Sequence, residues 1–230
     1  MPPRPANTKC RFTGSEGCFI KPTVAAKLTA DFRRAYPQSL RGHVFGHTKL
    51  RELLSQDGCV GLRIYHGLGR GKGEVLVLVG VDRNGGDLTA GRILDVSVPC
   101  PSYCDTLSVL APRNLTASRI ACSIKAIQFS GNEGNYVPLS SAAKWTAQFR
   151  KTNRASIKAH FFGRKKLEAL LAQPHCVALR IYNALDKTKA RELVIAGVTA
   201  DNRDMTEGLV LDGSISCPRF CSERSALFAA

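Results

Sequence analysis

The sequence has no long apolar run and few acidic residues. No stretch approaches the ~18 consecutive apolar residues of a membrane-spanning helix, so we expect no transmembrane segment. The amino terminus, MPPRPANTKCRF, has no apolar signal-peptide core, which favours a cytoplasmic location. Asp and Glu number 18 against 33 Lys and Arg, which gives a formal net charge of +15. This excess favours an anionic partner, a nucleic acid or an acidic protein surface, although it equally suits a device for solubility.

The sequence also lacks the usual catalytic and nucleotide-binding signatures. The run GLGRGKG, residues 67–73, is rich in glycine like a phosphate-binding loop, but it lies between two predicted strands and not before a helix. The matching run later in the chain, ALDKTKA, keeps none of its glycines. A flexible hairpin tip is the interpretation that we favour.

What the sequence contains is an internal repeat. The run HVFGHTKLRELLSQDGCVGLRIY, which starts at His43, returns as HFFGRKKLEALLAQPHCVALRIY from His160. Extended without a gap, the comparison matches roughly 36 of about 85 positions, which indicates a tandem duplication. The predicted division is an irregular amino-terminal arm (1–19), a first unit (20–104), an ordered connector (105–136), a second unit (137–221) and a carboxy-terminal tail (222–230).

Each unit has the pattern of two helices followed by three strands. In the first unit a helix ends near Ala35, and a second helix over residues 46–56 carries leucines at helical spacing. The second strand is apolar on both faces and so needs cover on both sides. We therefore predict an α+β protein in which two ααβββ units pack about a pseudo-two-fold axis. The predicted strands are residues 59–65, 75–81 and 92–98, with copies at 176–182, 192–198 and 209–215.

The cysteines offer a candidate metal site in each unit. Nine is an odd number, which argues against full disulfide pairing. Three cysteines and one histidine are retained in both units, and this is a ligand set that suits tetrahedral zinc, the candidate cofactor. Ordinary buried thiols, or a disulfide within each CxxxC pair, are the alternatives. The candidate ligands are Cys59, Cys100, Cys104 and His43 in the first unit and Cys176, Cys217, Cys221 and His160 in the second.

A cysteine nucleophile is a weaker hypothesis. Cys59, His43 and Asp95 supply the residue types of a nucleophile, a base and an orienting acid. However, a helix separates His43 from Cys59 in sequence, and two identical catalytic sets in one chain would be unusual. The histidines that differ between the copies are expected at the surface: His47, His66 and His175.

Arg63 and Tyr65 recur as Arg180 and Tyr182, and strand alternation places them with Cys59 on the face opposite the aliphatic side chains. The arginine could bind a phosphate, and the tyrosine could stack on a base. They could equally form the interface between the two units, where both residue types are common. We favour the interface.

The order HFFG, a leucine-rich helix, GCVGLRIY, a valine-rich strand ending in GVD and a closing CPxxC resembles a group of uncharacterised bacterial proteins, over nearly all of both units. The resemblance implies a recurrent module and no particular chemistry. The second unit departs from it at HCVALRIY and AGVTAD, which weakens any role for Gly61 and Asp82. We predict a non-catalytic binding or scaffold protein built from a duplicated basic module, with a candidate structural metal site in each unit. Nucleic-acid binding and cysteine-dependent catalysis are the alternatives.

Overall fold

The computed structural model describes residues 11–69, 71, 73–100, 103–105, 107–111, 128–217, 221–222 and 225–228. The predicted α+β class is confirmed, because these residues form four helices and two six-stranded antiparallel sheets. The elements, in chain order, are β1 Cys18–Phe19, α1 Pro22–Ala35, β2 Gly42–Gly46, α2 His47–Leu54, β3 Gly61–Leu68, β4 Glu74–Val81, β5 Ile93–Asp95, β6 Val98–Cys100, β7 Asn135–Tyr136, α3 Leu139–Thr152, β8 Ala159–Gly163, α4 Arg164–Leu171, β9 Ala178–Leu185, β10 Arg191–Val198, β11 Val210–Asp212 and β12 Ile215–Cys217.

The same order of elements occurs twice, once in residues 11–111, the first half, and once in residues 128–228, the second half. Each half contains three short strands that the sequence did not predict: β1, β2 and β6 in the first, and β7, β8 and β12 in the second. The predicted arm and connector each contribute one of these strands, β1 and β7. Residues 106 and 112–127 of the predicted connector lie outside the described part of the chain.

Each sheet combines strands from both halves. Sheet A has the order β1-β11-β10-β9-β2-β6, and sheet B has the order β12-β8-β3-β4-β5-β7. In sheet A, β2 of the first half pairs with β9 of the second, from Gly42 opposite Tyr182 to Gly46 opposite Ala178. In sheet B, β8 of the second half pairs with β3 of the first in the matching register. The two halves therefore exchange a strand at the middle of each sheet.

A central core lies between the two sheets. It contains Leu62 and Ile64 of β3, Leu179 and Ile181 of β9, and the leucines of α2 and α4. Burying these side chains on both sheets at once excludes water from the inner faces and stabilises the packing of one sheet on the other. Since the core draws on both halves, neither half encloses it alone.

The outer face of each sheet is covered by a helix. On sheet A, Ala25 of α1 packs with Tyr182 and Val194; on sheet B, Ala142 of α3 packs with Tyr65 and Val77. This arrangement explains why the second strand of each predicted unit is apolar on both faces. Each covering helix belongs to one half, whereas most of the strands beneath it belong to the other.

The short helices α2 and α4 begin on a loop of the opposite half. At α4, the backbone N–H of Gly163 donates to the carbonyl of Glu16 at 2.9 Å, and that of Lys165 donates to Gly14 at 2.8 Å. These bonds satisfy amide groups that the first turn of a helix leaves without a partner. At α2, Gly46 and Thr48 donate in the same way to Glu133 and Gly131. The two loops read GSEG and GNEG at the same sequence offset, so the repeat extends into the predicted arm and connector.

Candidate functional site

Four of the retained cysteines form two disulfides. Cys100 is bonded to Cys104 and Cys217 to Cys221, with Cα atoms 4.9 and 5.2 Å apart. Of the alternatives that the sequence left open for each CxxxC pair, the disulfide is the one observed. Such bonds persist mainly in oxidising compartments, and the cytoplasmic location stays a prediction.

The other two retained cysteines, Cys59 and Cys176, are buried free thiols. Each lies in the central core, and its Sγ donates to a nearby carbonyl, that of Gly61 or Ala178, at 3.3 Å. Burial raises the pKa of both thiols, so the unreactive protonated form is favoured. The prediction that Cys59 shares a face with Arg63 was wrong, because β3 begins two residues after Cys59 and its alternation does not extend that far back.

The retained histidines, His43 and His160, lie on strands and not at a helix entry. Their Nδ1 atoms hydrogen-bond the hydroxyls of Ser97 and Ser214 at 2.7 and 2.8 Å, and both rings are buried. Burial lowers the pKa of His43 to about 4, so its ring is neutral at physiological pH. Within the described residues, the Nε2 atoms of both rings have no hydrogen-bond partner.

The proposed zinc ligands are not brought together. Cys59 lies in the central core, Cys100 lies in the cluster beneath α1, and Cys100 is bonded to Cys104. The same separation holds for Cys176 and Cys217. In the described ranges no group of three or more His, Cys, Asp or Glu side chains is placed to hold a metal ion. A zinc site therefore receives no geometric support.

Arg63 and Tyr65 meet an aspartate that sequence reasoning missed. Arg63 Nη1 forms an ion pair with Asp87 Oδ1, and the Tyr65 hydroxyl donates to Asp87 Oδ2 at 2.6 Å. The arginine and aspartate side chains are 1% and 0% exposed, so none of this polar chemistry faces solvent. Burial raises the pKa of Tyr65 far above its ordinary value, which keeps the hydroxyl protonated as a donor.

The second half repeats the arrangement with Arg180, Tyr182 and Asp204. The ion pair between Arg180 and Asp204 is fully buried, and the Tyr182 hydroxyl donates to Asp204 Oδ2 at 2.5 Å. The aspartates could have been found from the sequence, because Asp87 and Asp204 are retained at the offset that relates the two copies. These buried side chains link the strand that carries the arginine and tyrosine to the loop that carries the aspartate.

His66 is buried, and its predicted surface position was wrong. Its ring stacks on Phe149 of α3 at 5.2 Å between centroids and meets His160 edge-on at 5.4 Å. Burial, followed by the charges of His160 and Arg191, lowers its pKa well below the ordinary value. The end of β3 lies under the last turns of α3, a contact between halves that periodicity within one strand does not reveal.

Arg191 joins the ends of the two outer helices. Its guanidinium lies 5.5 Å from the ring centroids of both Phe32 of α1 and Phe149 of α3, and its Nη2 donates to Glu74 at 2.8 Å. Phe32 and Phe149 are equivalent positions in the two copies, as are Glu74 and Arg191. The carboxy-terminal ends of α1 and α3 therefore meet at one end of the molecule.

Exposed cations surround this meeting point. Lys189, in the turn before β10, lies 3.4 Å from Asp31 of α1, which ties the hairpin tip to that helix. The side chains of Arg34 and Lys189 are 74% and 68% exposed. We call the following set of exposed residues the basic end: Arg34, Lys151, Arg154, Lys187 and Lys189.

No protein-family model, curated protein or solved structure matches the chain, so its function must be inferred from its geometry. The longest helices of the described chain, α1 and α3, have 14 residues each, and none of its helices has the length and apolar character needed to cross a bilayer.

Proposed function

We propose that this chain is a non-catalytic binding protein, built from a duplicated module whose copies pack about a pseudo-two-fold axis. The observation that carries the proposal is the burial of the retained polar side chains. Arg63 and Tyr65 both bond Asp87, and their equivalents Arg180 and Tyr182 both bond Asp204, with all of these side chains withdrawn from solvent. Side chains that are retained in both copies and bonded to each other stabilise the fold. Ligand binding then falls to residues on the surface.

Reciprocal contacts between the two halves support the pseudo-two-fold axis. Strand β2 of the first half pairs with β9 of the second, and its equivalent β8 of the second half pairs with β3 of the first at the equivalent residues. The N–H of Gly46 donates to the carbonyl of Glu133, and that of its equivalent Gly163 donates to Glu16, which form a second reciprocal pair. Paired contacts of this kind are typical of an isologous interface, here formed within one chain.

A cysteine-dependent enzyme is the less favoured alternative. A surface cleft of about 390 Å³ adjoins Cys59, but its described lining is Gly58, Val60, Asp82, Arg83 and Asn84. This lining supplies no imidazole to take a proton from the thiol, whose pKa is raised by burial. The geometry therefore favours a packing role for Cys59.

Native-state alkylation with peptide mapping tests the proposal. We expect Cys59 and Cys176 to resist iodoacetamide until the protein unfolds, because both thiols are buried and protonated. Cys18, which is exposed, serves as the internal control for reagent access. Labelling of Cys59 or Cys176 in the folded protein as fast as Cys18 would contradict a structural role and would favour the enzyme.

A further inference from the structure

We infer that the basic end binds the phosphate backbone of double-stranded nucleic acid across the pseudo-two-fold axis. The inference rests on the proposed function and names the partner of that binding surface. It starts from the distribution of charge. Residues 21–41, 138–158 and 186–191 carry thirteen Lys or Arg against two acidic residues, Asp31 and Asp186. Thirteen basic less two acidic residues leaves +11 of the net charge of +15 in α1, α3, the segments that follow them and the turn before β10.

The opposite end of the molecule carries a much smaller excess of positive charge. It consists of α2, α4 and the loops after β4 and β10, residues 47–60, 164–177, 82–92 and 199–209. These segments carry eight basic and eight acidic residues. Two of the acidic residues, Asp87 and Asp204, are neutralised by Arg63 and Arg180 of the strands, so eight basic residues face six acidic ones, an excess of +2. Positive charge that served only to keep the protein soluble would not need to be concentrated at one end. Positive charge that attracts a polyanion to one surface would.

Four cations at or next to the basic end occupy equivalent positions in the two copies, whereas Arg154 matches Pro37. Arg34 matches Lys151, and Arg41 matches Lys158. Lys187 and Lys189 match two further basic residues, Arg70 and Lys72, which lie outside the described part of the chain. By contrast, several basic residues elsewhere face an uncharged or acidic equivalent: Arg11, Arg51, Arg83, Arg92 and Arg203 match Gln128, Glu168, Ala200, Leu209 and Gly86.

Positive charges arranged in pairs about an axis suit a duplex. The two strands of double-stranded nucleic acid are antiparallel, so local two-fold axes relate their phosphates, and protein two-fold symmetry commonly mirrors this. The helix carboxy termini at the basic end would repel phosphate through their free carbonyls. Lys158 Nζ reduces that repulsion, since it donates to the carbonyl of Asn153 and, at 2.8 Å, to that of Arg154.

The test compares two triple variants of the full chain in fluorescence-anisotropy titrations with a short mixed-sequence DNA duplex. The first variant, Lys151→Gln with Arg154→Gln and Lys187→Gln, removes three charges from the basic end. The control, Arg11→Gln with Arg83→Gln and Lys165→Gln, removes three exposed charges elsewhere. Circular dichroism and thermal unfolding verify that both variants fold.

We expect the wild-type affinity to fall steeply between about 50 and 200 mM salt, because each phosphate contact contributes about 0.9 to the slope of log K against log salt. The first variant should reduce that slope by about 2–3 and the affinity roughly 10- to 100-fold. The control should leave the slope close to that of the wild type.

Three results would overturn the inference: equal losses in the two variants, equal or tighter binding of single-stranded DNA, or binding only to vesicles that contain phosphatidylserine. Absence of any duplex binding at low salt would overturn it as well. The proposed framework role would survive that outcome, because it is tested separately by the protection of Cys59 and Cys176 from alkylation.

Discussion

Asp87 and Asp204 each bind an arginine and a tyrosine of the neighbouring strand, and the side chains of both aspartates are withdrawn from solvent. Burying opposite charges costs desolvation energy, which is offset only when every bond of the set is made. Each set therefore acts as a unit. Loss of one charge leaves the other buried without compensation.

Replacing Asp204 by asparagine keeps the shape of the side chain and removes its charge. We expect the free energy of unfolding to fall by about 3–5 kcal/mol, because Arg180 then stays buried without its carboxylate. Asp57→Asn, at an exposed position, is the control and should change stability by no more than about 0.5 kcal/mol. Urea unfolding measures both, and equal effects would contradict a structural role for the buried pair.

The buried histidines make stability depend on pH. His66 has a lowered pKa in the folded state, so below the ordinary value of 6.5 the unfolded chain takes up a proton that the folded chain does not. His43, with a pKa of about 4, acts in the same direction. Asp95 and Asp212 act oppositely, because burial raises the pKa of each to about 6. As the pH falls, the folded state takes up these protons before the unfolded state does, which stabilises the fold.

The contribution of His66 can be isolated with His66→Asn, which installs the residue found at the equivalent position, Asn183. Relative to the wild type, the variant should lose less stability as the pH falls below 6.5, with a difference in slope of up to about 1.4 kcal/mol per pH unit. The exposed His175→Asn is the control and should leave the slope unchanged. Identical slopes for His66→Asn and the wild type would refute the burial of a neutral ring.

At the scale of elements, the junctions between β2 and α2 and between β8 and α4 depend on close backbone approach. A Cβ atom at Gly163 would lie 2.4 Å from the carbonyl carbon of Gly14, and one at Gly46 would lie 2.3 Å from that of Gly131. Both neighbours are backbone atoms that cannot move aside without breaking the bonds at the start of the helix. The sequences HVFG and HFFG therefore end in glycine because a side chain would not fit between the two backbones.

Gly163→Ala should destabilise the protein by about 1–3 kcal/mol or more, because the added methyl group forces the loop of residues 14–16 away from α4. Gly73→Ala is the matched control, since a Cβ at Gly73 would meet nothing within 4 Å. Differential scanning calorimetry of the two variants measures the difference. A Gly163→Ala protein as stable as Gly73→Ala would show that the loop does not pack there.

The elements that the sequence predicted best are those whose signal is local. The leucines of α2 and α4 have helical spacing, and β3 and β4 are long, mostly apolar strands that pair along their whole length. The strand β2 was missed because it has only five residues and runs directly into α2. Strand exchange leaves no trace in a local pattern, since either half could supply the partner of β2 or β8.

The sequence predicted which residue types recur at the candidate site, and it did not predict how they are arranged in space. Retention of Cys59, Cys100 and Cys104 suggested one ligand set, because sequence records which residues recur and not which of them are adjacent. In the fold, Cys59 faces the central core while Cys100 and Cys104 bond each other at the edge of sheet A. The same limit hid the burial of Arg63 and Arg180, whose aspartate partners are 24 residues away in sequence.

At the scale of the whole molecule, the exchange of strands makes the two halves interdependent. Without the second half, β2 loses β9, β3 loses β8, and α1 loses the face of sheet A on which it packs. Exposed strand edges and an uncovered apolar face are both unfavourable in water. A half could recover this cover only from a second copy of itself, paired across a true two-fold axis.

Separate expression of residues 1–111 and 112–230 tests this interdependence most directly. We predict that neither fragment is a folded monomer: each should lack near-ultraviolet circular dichroism and amide protection, or should self-associate, and mixing the two should restore both signals at a one-to-one ratio. Size-exclusion chromatography with light scattering distinguishes a monomer from a self-associated fragment. A fragment that is monomeric, unfolds cooperatively and protects its amides as well as the intact chain would contradict the exchange of strands between the halves.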